Sequence, residues 1–91
     1  MKLKVTPRAR ADFRNIQDWI GSDNPRAARE VVGRIRQTAA LLTKFPQLGR
    51  AGRVDGTREF PVTGLSYTLV YEVVGDELRL LTILHQSRNY P

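Results

Sequence analysis

The sequence predicts an α+β domain in which a hairpin of two helices packs on an antiparallel sheet. Three observations carry that prediction. Apolar residues recur at helical spacing from Ala9 to Leu42, the period changes to two beyond Gly56, and Pro and Gly pairs punctuate the chain where elements should end. The expected order is β-α-α-β-β-β: an N-terminal short strand, an antiparallel two-helix hairpin, then a three-stranded antiparallel sheet packed on the helices. At 91 residues, positions 1–91 form one domain with a single core.

Each element has its own signal. Lys2 to Val5, "KLKV", alternates basic and apolar residues as a short edge strand does, and lysines at an edge deter further pairing. Thr6-Pro7 reads as an N-cap followed by a first-turn proline. Ala9, Phe13, Ile16 and Ile20 then line one helical stripe, with Trp19 beside it as an expected helix–sheet contact, and Gly21 closes the helix. Asn24-Pro25 repeats the cap-and-proline signal. From Pro25 to Lys44 the residues Ala28, Val31, Val32, Ile35, Ala39 and Leu42 form a continuous apolar face. Glu30 stands four residues before Arg34, a favourable pairing distance. Phe45-Pro46 ends the helix, because the residue before proline avoids helical geometry. Gly49 to Gly56 reads as a loop. "TREFPV" is a short strand that Pro61 confines to an edge or bulge. In "YTLVYEVV", Tyr67, Leu69, Tyr71 and Val73 share a face, and Gly75-Asp76 turns tightly into "ELRLLTILH".

Composition narrows the function classes. Fifteen basic residues against nine acidic give a net charge of +6. Twelve of the fifteen are Arg, whose planar fork suits phosphates and carboxylates. Such a balance points to nucleic acid, a nucleic-acid-bound machine or an acidic protein partner, with plain solubility as the competing account. Cysteine is absent, so disulfides and thiolate metal sites are excluded. No apolar run approaches the ~20 residues of a membrane span. The opening "MKLKVTPRAR" lacks a stretch of signal-peptide length, so a cytoplasmic location is expected. One His and scattered carboxylates cannot supply a usual metal set, and no cofactor motif is present; neither a metal nor a cofactor is expected.

The segment Gly49 to Phe60, "GRAGRVDGTREF", places three arginines and three glycines in twelve residues. Arg50, Arg53, Arg58, Glu59, His85, Arg88 and Tyr90 form a candidate constellation if loop, strand ends and tail converge. RNA cleavage without metal needs a base, an acid and cations on the phosphate, and these types supply them. The competing reading leaves His85 as a solvated strand-end residue, and pairs Arg58 with Glu59, Asp55 or Glu72.

"RADFRNIQDWI…DNPRAA", "FPQLGRAGRVDGTREFPV", "YTLVYEV" and "LTILHQSRNYP", in this order, resemble toxins of the RelE/ParE superfamily from bacterial type II toxin–antitoxin modules, over about Thr6 to Pro91. The resemblance implies a cognate antitoxin as partner, with operator DNA met only through that antitoxin, and no membrane. It implies one of two targets. ParE-like members poison DNA gyrase; RelE-like members cleave mRNA at the ribosome. RNA-cleaving relatives commonly carry an arginine just before "LVY", where this chain has Thr68; "LHQS" and the long helical hairpin are ParE-like. Gyrase inhibition is therefore favoured, by a protein that binds rather than catalyses. Arg50, Arg53, Arg58, His85, Arg88 and Tyr90 are then the contacts to target or antitoxin. On the nuclease alternative, Glu59 or His85 is the base, Arg58 and Arg88 hold the phosphate, and Tyr90 orders or protonates. A third alternative is a degenerate toxin acting only in a repressor complex with its antitoxin.

Overall fold

The computed structural model describes residues 1–86. The chain runs β1 (Lys2–Val5), α1 (Pro7–Gly21), α2 (Pro25–Lys44), a 3-10 turn (Pro46–Leu48), β2 (Arg50–Ala51), β3 (Arg58–Pro61), β4 (Tyr67–Val74) and β5 (Glu77–His85). The five strands form one sheet in the order β1-β5-β4-β3-β2, with β1 parallel to β5 and the other neighbours antiparallel.

Both helix starts follow the local chemistry. Thr6 Oγ1 accepts the Ala9 amide at 3.2 Å, and its hydroxyl lies 2.9 and 3.0 Å from the Leu80 and Leu81 carbonyl oxygens, so one residue caps α1 and ties it to β5. Asn24 Oδ1 accepts the Ala27 amide at 3.1 Å, and proline opens each helix. The stripes meet as their spacing requires. Ala9, Phe13 and Ile16 of α1 and Ile35, Ala39 and Leu42 of α2 are buried against Leu69, Tyr71, Leu78 and Leu80 of the sheet. Arg36 covers the outer side of this contact, its guanidinium carbon 5.0 Å from the Phe13 ring centre.

Five expectations change. The loop after Gly49 contains β2, a two-residue strand in which Arg50 faces Glu59 and Ala51 faces Arg58. Two residues are too few to display a period, and β1 joins the same sheet by pairing in parallel with β5, so the sheet is five-stranded and mixed rather than three-stranded and antiparallel. Strict alternation also fails in β5. Val70 opposes Thr82 while Tyr71 opposes Leu80, so Leu81 is an extra residue, and Ile83 rather than Thr82 continues the core row of Leu78 and Leu80. Val73, the last of the β4 row, is 41% exposed. Trp19 is not a helix–sheet contact: it is 75% exposed on the flank of the α1 stripe. Finally, Glu30 lies 3.7 Å from Arg26 rather than pairing with Arg34, whose Nη2 donates to the Thr63 carbonyl oxygen across the α2–sheet seam.

Candidate functional site

The twelve-residue arginine segment folds as an arm bent back on the sheet. Gly52 donates its amide to the Thr57 carbonyl oxygen at 2.8 Å and Thr57 donates back to Val54 at 3.1 Å, closing the tip between β2 and β3. Arg50 therefore stands directly opposite Glu59, with Arg53 reaching the same carboxylate from the tip. Glu59 is 2% exposed. Its Oε2 accepts the Arg53 amide at 3.0 Å, and its Oε1 lies 3.7 Å from Arg53 Nε and 3.9 Å from Arg50 Nη2. A carboxylate this deep is tolerated because two guanidinium groups and a backbone donor face it. Above it the arginines remain open to solvent, with side-chain exposures of 74% for Arg50 and 54% for Arg53.

Beside this pair runs a groove of about 320 Å³, walled by Arg50, Arg53, Pro61, Thr68, Leu84, His85 and Gln86. Gln86 Nε2 stands 3.4 Å from Thr68 Oγ1 at its floor. His85 sits at the end of β5 opposite Tyr67, with their rings edge to face at 5.3 Å. The strand-end His of the sequence reading is thus held against an aromatic partner at the border of the groove. Its other side borders a larger concavity of about 710 Å³ between α1 and the end of the sheet, where Asp12, Asp18, Trp19 and Tyr67 also lie.

Arg58 takes a different direction. It is the cross-strand partner of Tyr71, on the face that meets the helices, and its Nη1 donates to the Gly49 carbonyl oxygen at 2.7 Å. None of the three carboxylates expected for it is its recorded partner, and it does not wall the groove. Glu59, expected as a base on the nuclease alternative, is buried beside Arg50 and Arg53. The structure thus brings Arg50, Arg53 and His85 to one groove, with Glu59 buried against the two arginines, and turns Arg58 to the other face of the sheet; Arg88 and Tyr90 lie outside the described residues. Among the described residues no group of three His, Cys, Asp or Glu could hold a metal ion.

Two polar anchors escaped the sequence reading. Asp12 Oδ2 accepts the Thr82 hydroxyl at 2.6 Å and the Ile83 amide at 2.9 Å, capping the edge of β5 beyond the point where β1 stops. Tyr71 is completely buried; its hydroxyl donates to the Pro46 carbonyl oxygen at 2.7 Å and accepts the Gly49 amide at 2.9 Å. Burial raises the Tyr71 pKa above its ordinary value of 10, opposed by the Gly49 amide and the Arg58 charge. The partners of these residues lie 22 to 71 positions away, so no local pattern marks either anchor.

With Arg50 and Arg53 exposed beside the groove, this is a small α+β domain of the class that presents positive surface suited to anionic partners. The comparisons with known proteins sharpen that class. Residues 3–90 match the model of the ParE toxin of type II toxin–antitoxin systems, parDE, and the chain belongs to this family. It is 32% identical over 90 residues to Y4kP of Sinorhizobium fredii, named there as a candidate toxin, covering 99% of this chain and 93% of that one. It is also 32% identical over 83 residues to Toxin RelE2 of Caulobacter vibrioides, covering 91% and 92%. The fold is similar to a chain of the chromosomal ParDE toxin–antitoxin system from P. aeruginosa, with a TM-score of 0.85, 27% identity and coverage of 93% and 95%. HP0894 of Helicobacter pylori, a conserved hypothetical protein, is similar at a TM-score of 0.61, 25% identity and coverage of 97% of each chain.

Proposed function

We propose that this ParE-family toxin arrests growth by binding DNA gyrase and blocking replication, using the rim formed by Arg50 and Arg53 as its contact to acidic or phosphate-bearing surface. The observation that carries the reading is the state of Glu59. The carboxylate that the nuclease alternative names as a base is buried beneath two arginines and accepts the Arg53 amide. On this reading Glu59 orients the two arginines rather than relaying protons. Thr68, where RNA-cleaving relatives commonly carry an arginine, is neutral and engaged with Gln86, so the middle of the groove offers no charge to a developing phosphorane. His85, Arg88 and Tyr90 serve on this reading as further contacts, not as an acid–base set.

The partner that neutralises the toxin is a cognate antitoxin whose acidic residues compete for the same arginines, and operator DNA is met only through that antitoxin. The site of action is the cytoplasm. The test is supercoiling of relaxed plasmid by gyrase with the purified toxin titrated in. Inhibition with accumulation of cleaved DNA, reversed by the antitoxin and reduced about tenfold or more in Arg50→Gln/Arg53→Gln, is the expected result. Unimpaired supercoiling at large molar excess of folded, growth-arresting protein refutes the reading. Cleaved mRNA on translating ribosomes in place of supercoiling inhibition would make the toxin a nuclease with His85 as the candidate base.

A further inference from the structure

The arginine rim is carried on a strand too short to hold itself. β2 pairs through two residues only, Arg50 with Glu59 and Ala51 with Arg58, and even an isolated two-stranded hairpin of normal length is marginal in water. Something else must fix where this arm leaves the body of the protein. The residue before it, Gly49, has both of its backbone polar atoms taken by side chains. Its amide donates to Tyr71 Oη at 2.9 Å, and its carbonyl oxygen accepts from Arg58 Nη1 at 2.7 Å. Tyr71 Oη also donates to the Pro46 carbonyl oxygen at 2.7 Å, so one buried hydroxyl bridges the start of the 3-10 turn and its end.

Tyr71 and Arg58 face each other across β4 and β3, both rooted in the sheet. A side chain at position 49 has no room: its Cβ would lie 2.3 Å from Tyr71 Oη, although the backbone there is ordinary extended chain with φ of −71°. Gly49 is required for closeness rather than for an unusual backbone conformation.

We infer that Tyr71 and Arg58 are the positioning residues of the arginine rim: together they clamp the Gly49 peptide, and through it set where Arg50 and Arg53 stand over Glu59. The inference rests on the rim reading for its functional consequence, but the positioning itself is measured separately. Both act through the backbone from which the contacting arginines hang.

The experiment compares Tyr71→Phe and Arg58→Met with two controls: Arg50→Gln/Arg53→Gln, which removes the rim, and Ile35→Val, which trims a fully buried core side chain away from the arm. One readout is amide hydrogen exchange at Gly49, Gly52 and Arg53 in the folded toxin. The other is growth arrest on induction, scored against the amount of folded protein. In Tyr71→Phe and Arg58→Met the three arm amides exchange at least about tenfold faster than any acceleration seen in the β4 and β5 amides, and growth arrest falls toward that of the rim control. Ile35→Val loses comparable thermal stability yet keeps growth arrest, and Arg58→Lys, which retains a donor for the Gly49 carbonyl, recovers part of it. Unchanged arm exchange in both variants overturns the inference. Equal loss of growth arrest in Ile35→Val also overturns it, since stability alone would then account for the effect. If the rim control itself arrests growth normally, the contact reading fails, while exchange still decides whether the clamp positions the arm.

Discussion

Replacing Gly49 with Ala tests the tightest place in the molecule. The added Cβ would lie 2.3 Å from Tyr71 Oη and 2.8 Å from two ring carbons, so the residue 49 peptide must withdraw by roughly an ångström to reach ordinary van der Waals separation. Withdrawal strains or breaks two hydrogen bonds, the Gly49 amide to Tyr71 Oη and the Arg58 guanidinium to the Gly49 carbonyl oxygen. At about 1 kcal/mol for the neutral bond and about 1.5–3 kcal/mol for the charged one, plus roughly 1 kcal/mol of overpacking, the loss is about 3 kcal/mol or more. A domain of this size stands on the order of 5–10 kcal/mol above its unfolded state, and each kcal/mol moves the melting temperature by about 4–8 °C. Thermal unfolding followed by circular dichroism should therefore show Tm lower by at least about 12 °C. Combining Gly49→Ala with Tyr71→Phe removes the nearest atom of the clash but leaves the ring carbons. The double variant should fall short of the sum of the single losses by about 1–2 kcal/mol. A Tm drop under about 4 °C, or strict additivity, would refute the clamp geometry.

Asp12→Ala leaves the Thr82 hydroxyl and the Ile83 amide without their shared acceptor and should cost about 3 kcal/mol in denaturant unfolding, with Asp12→Asn recovering part of it. Trp19→Ser, at a position 75% exposed, should change stability by no more than about 0.5 kcal/mol. Burial holds Tyr71 protonated above its ordinary pKa of 10, so the neutral form is favoured by folding; that stability is complete below pH 10 and is lost as pH rises from there through the folded-state value. The denaturation midpoint should thus fall more steeply above pH 10 in the wild type than in Tyr71→Phe. Glu59→Gln keeps an acceptor for the Arg53 amide but removes the counter-charge, so the variant should elute from heparin at higher salt while losing about 1–3 kcal/mol of stability.

What the sequence displays is what short-range chemistry decides. Thr6-Pro7 and Asn24-Pro25 mark both helix starts because a cap and a first-turn proline act within four residues, and Gly75-Asp76 marks the hairpin because a tight turn is likewise local. The helical stripes are legible because one face of each must be apolar. The β5 bulge is not, since "LRLLTIL" reads equally well with either parity until Asp12 and Thr6 fix the strand edge. The site shows the same division. Arg50 and Arg53 stand out as charge on a glycine-rich arm, and they do share a groove with His85. The separation of Arg58 from Arg50 follows from strand parity: residues 50 and 59 share one face of the sheet, and 58 takes the other with Tyr71. A strand of two residues gives no period from which to read that parity.

The burial of Glu59 links the fold to the charge that a partner meets. One carboxylate stands under two guanidinium groups, which leaves this part of the surface with a local excess of one positive charge. Separations of 3.7 and 3.9 Å are longer than those of short charge-assisted hydrogen bonds, so the acid attracts both arginines without using up their donors. At an effective dielectric constant near 20 each attraction is about 4 kcal/mol before desolvation and solvent screening, and far less in net terms for side chains this exposed. That is enough to bias the two side chains toward Glu59. Glu59 therefore limits the entropy the arginines would lose on binding. The clamp at Gly49 does the same for the backbone beneath them. Preorganisation of the rim arises from a buried acid on one face of β3 and a buried hydroxyl behind the other.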